Sequence, residues 1–552
     1  MSDNPIAALA AHVSGTLLMD HCRAMARWMK LSGTKEEAES LCYIRARLEE
    51  YGYRTRIIRH DAYISLPGEA HVEVDGTRLA AITHSMARPS PAGGLCADLV
   101  YVGAATPADV AGKNLRGKII LAEGIATPQV AALARDAGAA GQLHISPHHH
   151  LHEMCISPVW GSPDPFTFAQ LPSTVACTIS NADGTRLRER LARGEAPSIT
   201  MHAKVDTAWR KTPILEAELG APNGNADTPF ILFSGHHDTW YYGVMDNGSA
   251  NATMLETARL ALARRSNWKR GLRICFWSGH SHGRYSGSAW YADNHWEELD
   301  RRCAAHVNVD STGGVGATLL EDAAAMAPLH ALAEEAITVQ TGHPYKGKRK
   351  NRSSDESLPA MGVPSMFGML SEQPPTQIRM RNTLGWWWHT PEDLLDKIDE
   401  ANLVRDTRVF VHVVTKLLTE PSLPLDIAAH ARTLREQLDG LATQLGDRFD
   451  LAALVAATDA LQSRAAGLHA PSDATLMALS RILVPIDYAM ADRFSHDPAL
   501  PVPDWAILQP LRDLAATTPG TDAAHLHAVS ARRAANRLAH ALRNALATLE
   551  HA

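Results

Sequence analysis

Five residues of this chain are of the types that hold a hydrolytic metal ion, and each stands where an apolar run gives way to a polar loop. His236 and Asp238 lie in SGHHDTW, directly after the apolar run 230–234. Asp246 lies in VMDNGSANATMLE, Asp310 closes HVNVDST, and His389 stands in WWWHTPEDLLDKID. Imidazole and carboxylate are donors that Zn²⁺ accepts, and Mn²⁺ or Fe²⁺ also suits them. Asp238 follows His236 by two residues, hence on the same side of an extended segment. It could take the other ring N–H of His236 as a supporting carboxylate. Taken singly each residue is weak evidence, because an Asp before Asn-Gly commonly makes a turn or cap.

Scattered ligands need elements that bring them together. Runs 230–234, 272–277, 305–309 and 364–369 read as short buried strands, and patterned helices, notably 250–263, separate the first three. Such alternation predicts an α/β fold with a mostly parallel sheet covered on both faces. In such a sheet the carboxyl ends of the strands meet at one crevice. The N-terminal part, residues 1–92, begins with a helix carrying Leu41, Ile44, Leu48 and Tyr51, closed by Gly52, and continues into a strand over 53–60. Residues 93–205 have their own apolar pattern and read as a small α/β insert. Residues 206–420 carry the metal motifs. Residues 421–552 are Ala- and Leu-rich and read as helical, a packing or dimerisation module, hence the expectation of a homodimer.

With 552 residues the chain is too long for one compact core. Its 45% hydrophobic and 20% charged residues are those of a globular protein, and a net charge of −7 gives no reason to expect nucleic acid as a partner. No apolar run approaches the roughly 20 residues that span a bilayer, so no membrane partner is expected. The opening MSDNPIAALAAHVSGTLLMD has no Lys or Arg before its apolar stretch, and the seven Cys lack CxxC spacing. Both observations point to a cytoplasmic protein with reduced thiols.

The ordered motifs resemble those of the co-catalytic zinc peptidase family that contains bacterial aminopeptidases, glutamate carboxypeptidase II and the transferrin receptor. SGHHDTW is similar to that family's first ligand motif, and Asp246 falls ten residues after His236, as the family's bridging carboxylate does. VNVDST is similar to the segment giving the next carboxylate, WHTPEDLLDKID to the final His segment, and RSSDESLPAMGVPS to the Ser-Asp loop and Gly-Ile-Pro strand start before it. The resemblance implies one or two zinc ions, a protease-associated-like insert over 93–205 and a helical dimerisation domain at the C-terminus.

One segment departs from the family. After the strand 272–277 the family carries adjacent glutamates, the first a general base and the second a metal ligand, then Gly, two apolar residues and Gly-Ser. Here the chain reads CFWSGHSHGRYSGSAWYA, with no Glu. Counted from the strand, His280 takes the base position and Ser281 the ligand position. Counted back from Gly287-Ser288, Ser281 takes the base position and His282 the ligand position. The stretch from Gly283 to Gly287 is one residue longer than the family's. The strand is rigid and the extra residue is most easily absorbed over 284–286, which favours the register with His280 nearest the strand end, either as base or as the ligand that fills the vacant position. An imidazole can shuttle a proton near neutral pH.

Trp240, Tyr241 and Tyr242 lie between two ligands, and Trp386, Trp387 and Trp388 precede a third. These triplets suggest an aromatic-lined pocket, with Trp240, Tyr241, Tyr242 and Trp388 contacting substrate. Arg284, Arg379 or Arg381 could clamp a carboxylate. HISPHHHLHE (144–153) reads as an insert loop over the site mouth. The expected function is a metal-dependent hydrolase cleaving a C–N bond of a compact apolar or aromatic amide or short peptide. The alternative is a non-catalytic metal-binding or interaction relative.

Overall fold

The computed structural model describes residues 5–376 and 383–550. Four parallel strands form the middle of the structure: Phe230–His236 lies between Gly271–Trp277 and Cys303–Asp310, and Ser365–Met369 follows outside the last. Every residue of the first three is buried. Their continuous apolar runs mark a sheet covered on both faces. The helix Ala250–Ala261 and the helix Glu400–Thr419 pack on one face.

The sequence expectation for the N-terminal strand is too short. It runs over Arg54–Val74, 21 residues, and pairs antiparallel along most of its length with a second 21-residue strand, Ile199–Leu219. The burial of Arg54–Val74 changes from one end to the other, so neither a single period nor a single apolar run marks it. This pair, followed by Thr77–Thr83, carries the sheet from the parallel centre to four further strands, Leu99–Tyr101, Ile119–Glu123, Gly141–Ile145 and Val175–Ile179, which are parallel to one another. An apolar cluster separate from the main core forms around Ile119, Leu121, Leu143 and Ile179 and takes in Val72 and Val74.

Beyond residue 420 the chain is helical, with helices at Ile427–Leu445, Ala452–Ala466, Asp473–Tyr488, Gln509–Ala515 and Asp522–Glu550. A fully buried arginine ties this layer to the sheet. Arg270 stands just before the strand Gly271–Trp277, pairs with Asp473, and donates to Leu417 O and Glu420 O, each at 2.9 Å. Arg270→Ala leaves these acceptors unpaired and should cost about 3 kcal/mol. An unchanged midpoint in chemical denaturation would contradict that anchoring role. No helix among the described residues is long and apolar enough to cross a membrane.

Candidate metal centre

The strands Phe230–His236 and Cys303–Asp310 end at His236 and Asp310, and a short helix, His280–Gly283, begins just past Trp277. Asp246 lies at the centre. Its Oδ1 is 3.1 Å from Nε2 of His236, and its Oδ2 is 3.0 Å from Nε2 of His389. Asp310 Oδ1 is 3.8 Å from the same His236 nitrogen. All four side chains are buried.

Local hydrogen bonds aim each group. His236 Nδ1 donates to Asp238 O and His389 Nδ1 to Glu153 O, each at 2.7 Å. With Nδ1 committed as donor, Nε2 of each ring is the atom turned toward Asp246. Asp393 accepts from the backbone N–H groups of Met245 and Asp246 at 2.9 and 3.0 Å, fixing the loop that carries Asp246. Asn247 Nδ2 donates to His236 O and Val309 O, tying two strand ends together. Ser311 and Ser354 hydroxyls donate to the two oxygens of Asp310.

The donor set fits a cation. Burial works against charge on His236, yet its bonds to Asp246 and Asp310 prevail and raise its pKa well above the usual value. Burial likewise opposes charge on Asp246, but the two imidazoles hold its carboxyl well below the usual range. Two buried carboxylates thus demand positive charge at their meeting point. The Nε2 atoms of two oriented imidazoles face the same carboxylate, and a cation there would take the place of the proton, the arrangement hydrolytic metal sites use.

The segment without glutamates folds as the helix His280–Gly283, then two left-handed residues, Arg284 (φ 48°) and Tyr285 (φ 69°), then the helix Ser286–Asn294. Gly287 lets this second helix meet the strand end, since a Cβ there would lie 2.4 Å from Ser278 O. The neighbouring Ser288 hydroxyl donates to Asp355 Oδ1 at 2.8 Å, and Asp355 Oδ2 accepts from His280 Nδ1 at 2.9 Å. His280 stacks on His236 at 3.7 Å between centroids and 14° between planes. His236, His280 and Asp310 each offer a ligand atom within 4.8 Å of the others. Ser281 lines the same cavity, and its buried Oγ has no hydrogen-bond partner.

Two expectations need correction. Asp238 does not support His236 through its carboxylate; its backbone carbonyl does so, because the side chain is taken by other donors. Ser32 Oγ donates to it, as do the backbone N–H of His280 at 3.2 Å and of Ser281 at 2.9 Å. Asp238 therefore fixes the start of the helix that carries His280. His282 stands apart from the three ligand atoms grouped around His280. Its Nδ1 is 2.9 Å from Ser32 Oγ, and its ring packs 4.4 Å from Trp240.

The cavity beside these groups measures about 630 Å³. Trp240, Arg284 and Trp388 line it, whereas Tyr241 and Tyr242 do not. The Tyr241 hydroxyl instead donates to Glu153 at 2.8 Å. Burial pushes the Glu153 carboxyl up to about 7. Arg379 and Arg381 lie outside the described residues. The histidine tract 144–153 reaches the site through one backbone and one side-chain bond: Glu153 N donates to His389 O at 3.1 Å, and His152 Nδ1 donates to Trp388 O. His148 and His152 face each other at 3.0 Å between their Nε2 atoms, and His150 stacks on Trp386. The C-terminal layer also contributes to the cavity, through Tyr488 and the stretch 499–502. Composition gave no signal for this. Asp355 lay in a recognised loop, but its pairing with His280 is a long-range contact that the sequence does not reveal.

Residues 218–414 match the model of Peptidase family M28. The probable glutamate carboxypeptidase VP8 of Zea mays is 24% identical over 507 residues, covering 76% of this chain and 69% of that protein. Aminopeptidase NAALADL1 of Rattus norvegicus is 23% identical over 282 residues, 44% of this chain and 37% of that protein. Among solved structures, a peptidase M28 precursor from Shewanella amazonensis aligns with a TM-score of 0.60 at 19% identity, over 75% of this chain and 96% of that one. An aminopeptidase from Aneurinibacillus sp. strain AM-1 aligns at 0.56 and 22%, over 75% and 95%. The family match spans His236, Asp246, Asp310 and His389 alike, so the segment that carries all four is similar to the M28 peptidases, and the relatives support a metal-dependent hydrolase of peptide-type bonds.

Proposed function

We propose that this chain hydrolyses a C–N bond of a compact, aromatic or apolar amide at a metal centre whose proton carrier is His280 rather than a glutamate. The carrying observation is the position of Asp246, with one oxygen facing His236 and the other facing His389. In this reading His236, Asp246 and Asp310 hold one ion, and Asp246 and His389 hold a second beside the orphaned Ser281 hydroxyl. Zinc suits these donors, and Mn²⁺ or Fe²⁺ remains compatible. Such ions polarise a carbonyl and acidify water.

His280 is suited to move the proton. Its Nδ1–H donates to Asp355, so the neutral ring has its acceptor at Nε2. The stacking on His236 supports this role over ligation. A ligated ion lies close to the plane of its imidazole, and two stacked, near-parallel rings do not share a point in both planes. The protonated ring can then pass its proton to the leaving nitrogen while Asp355 holds it in place.

Trp240 and Trp388 in a cavity of about 630 Å³ favour a compact substrate. The expected result is chelator-sensitive hydrolysis of small aromatic amides, with higher kcat/KM than for generic dipeptides or aminoacyl anilides. Efficient turnover of the latter without aromatic preference would refute the substrate assignment. We further assign 93–205 as a protease-associated-like insert and 421–552 as a helical dimerisation domain. A cytoplasmic location is supported by seven cysteines, none of them paired.

A further inference from the structure

The cavity wall beside the metal residues carries five cationic side chains, and they fall into two kinds. Lys348, Arg349 and Lys350 are neutralised: Lys348 pairs with Asp322, Arg349 with Asp487 and Asp504, and buried Lys350 with Glu356 at 2.9 Å. Arg284 and Arg352 line the same cavity, and neither forms an ion pair with a carboxylate among the described residues. Arg284 Nη1 makes one long hydrogen bond, 3.4 Å to Cys155 O, and Arg352 Nη2 makes one of 2.9 Å to Asp497 O. The Nε of each is buried without a partner.

Both guanidiniums are held by one aromatic pair. Arg352 lies 3.9 Å over the Trp160 ring, Trp160 packs 4.3 Å from Tyr285, and Arg284 lies 4.9 Å from the Tyr285 centroid. Trp160 is itself fixed by its Nε1–H bond to Ser357 at 2.9 Å. The cost of the arrangement is visible at Arg352, whose pKa burial lowers to about 10. Partly buried guanidiniums with unused donors are costly unless an anion completes them. A single negative charge fits better than two, because Asp246 and Asp310 line the same cavity. Arg284 also stands where the family pattern has an apolar residue, four positions after His280, so the cation accompanies the loss of the glutamates.

We propose that Arg284 and Arg352 form a carboxylate subsite, so that the amide cleaved at the metal centre carries an acidic group. The inference rests on the metal-centred reading of the site and deepens it. Planar guanidiniums recognise carboxylates through paired N–H donors.

The probes are 3-phenylpropionate and phenylsuccinate, which differ by one carboxylate, titrated calorimetrically into the metal-loaded full chain. The diacid should bind roughly tenfold tighter or more, the effect of one charge-assisted contact. In the Arg284→Gln/Arg352→Gln double variant, with metal content unchanged, that advantage should fall to about twofold or less. Metal content and the denaturation midpoint, unaltered by the substitutions, are the controls for folding. Equal affinities in the unsubstituted protein, an advantage that survives in the double variant, or failure of both acids to bind would overturn the subsite. Asp246→Ala separates the two readings. Unchanged metal content in Asp246→Ala would refute the metal reading, while an arginine-dependent diacid increment in that variant would still support the subsite.

Discussion

His280→Ala should retain its metal and lose about 10²–10⁴ in turnover rate, the usual contribution of a positioned general base. The ring is placed for that loss to be specific. Asp355 takes its Nδ1–H, the helix start is held by Asp238, and the imidazole lies against His236. Elemental analysis alongside steady-state kinetics separates the two roles open to this residue. Loss of metal together with activity would make His280 a ligand instead. His282→Ala should be milder on both counts, because that ring engages Ser32 and Trp240. Full activity in His280→Ala with none in His282→Ala would reverse the assignment.

The second large effect belongs to Asp246→Ala. One carboxylate faces both imidazoles, so its removal should strip most of the bound metal and abolish hydrolysis. His389→Ala should deplete only the ion it shares with Asp246. Full metal content in Asp246→Ala would refute the bridging role.

Much of this candidate centre is legible in the sequence because His236 and Asp310 end strands with continuous apolar runs, and Asp246 and His389 lie in the loops between elements. His236, Asp246, Asp310 and His389 follow signals that need no knowledge of partners: an apolar run, then a polar loop. The sequence also marks the place where Arg284 and Tyr285 break the helix, since the stretch from Gly283 to Gly287 is one residue long for the family pattern. The contacts that decide roles are less legible. Asp238 reads as a support for His236 by its spacing, but its carboxylate is claimed by the N–H groups of His280 and Ser281 from another strand end. Asp355 lies 75 residues from His280, and the backbone of Glu153 lies 236 residues from His389. Neither pairing leaves a periodic trace. The long strands Arg54–Val74 and Ile199–Leu219 escape for a related reason: their environment changes along their length, from the parallel centre of the sheet to the strands within 93–205.

The central claim is a metal centre organised around Asp246, with His280 as its proton carrier. Anomalous diffraction from crystals of the metal-loaded full chain tests it most directly. Metal peaks are expected within about 2.0–2.2 Å of Asp246, one completed by His236 and Asp310 and one by His389, with His280 Nε2 beyond bonding distance of both. A map with no metal peak beside Asp246, or with His280 bonded to an ion, would contradict it.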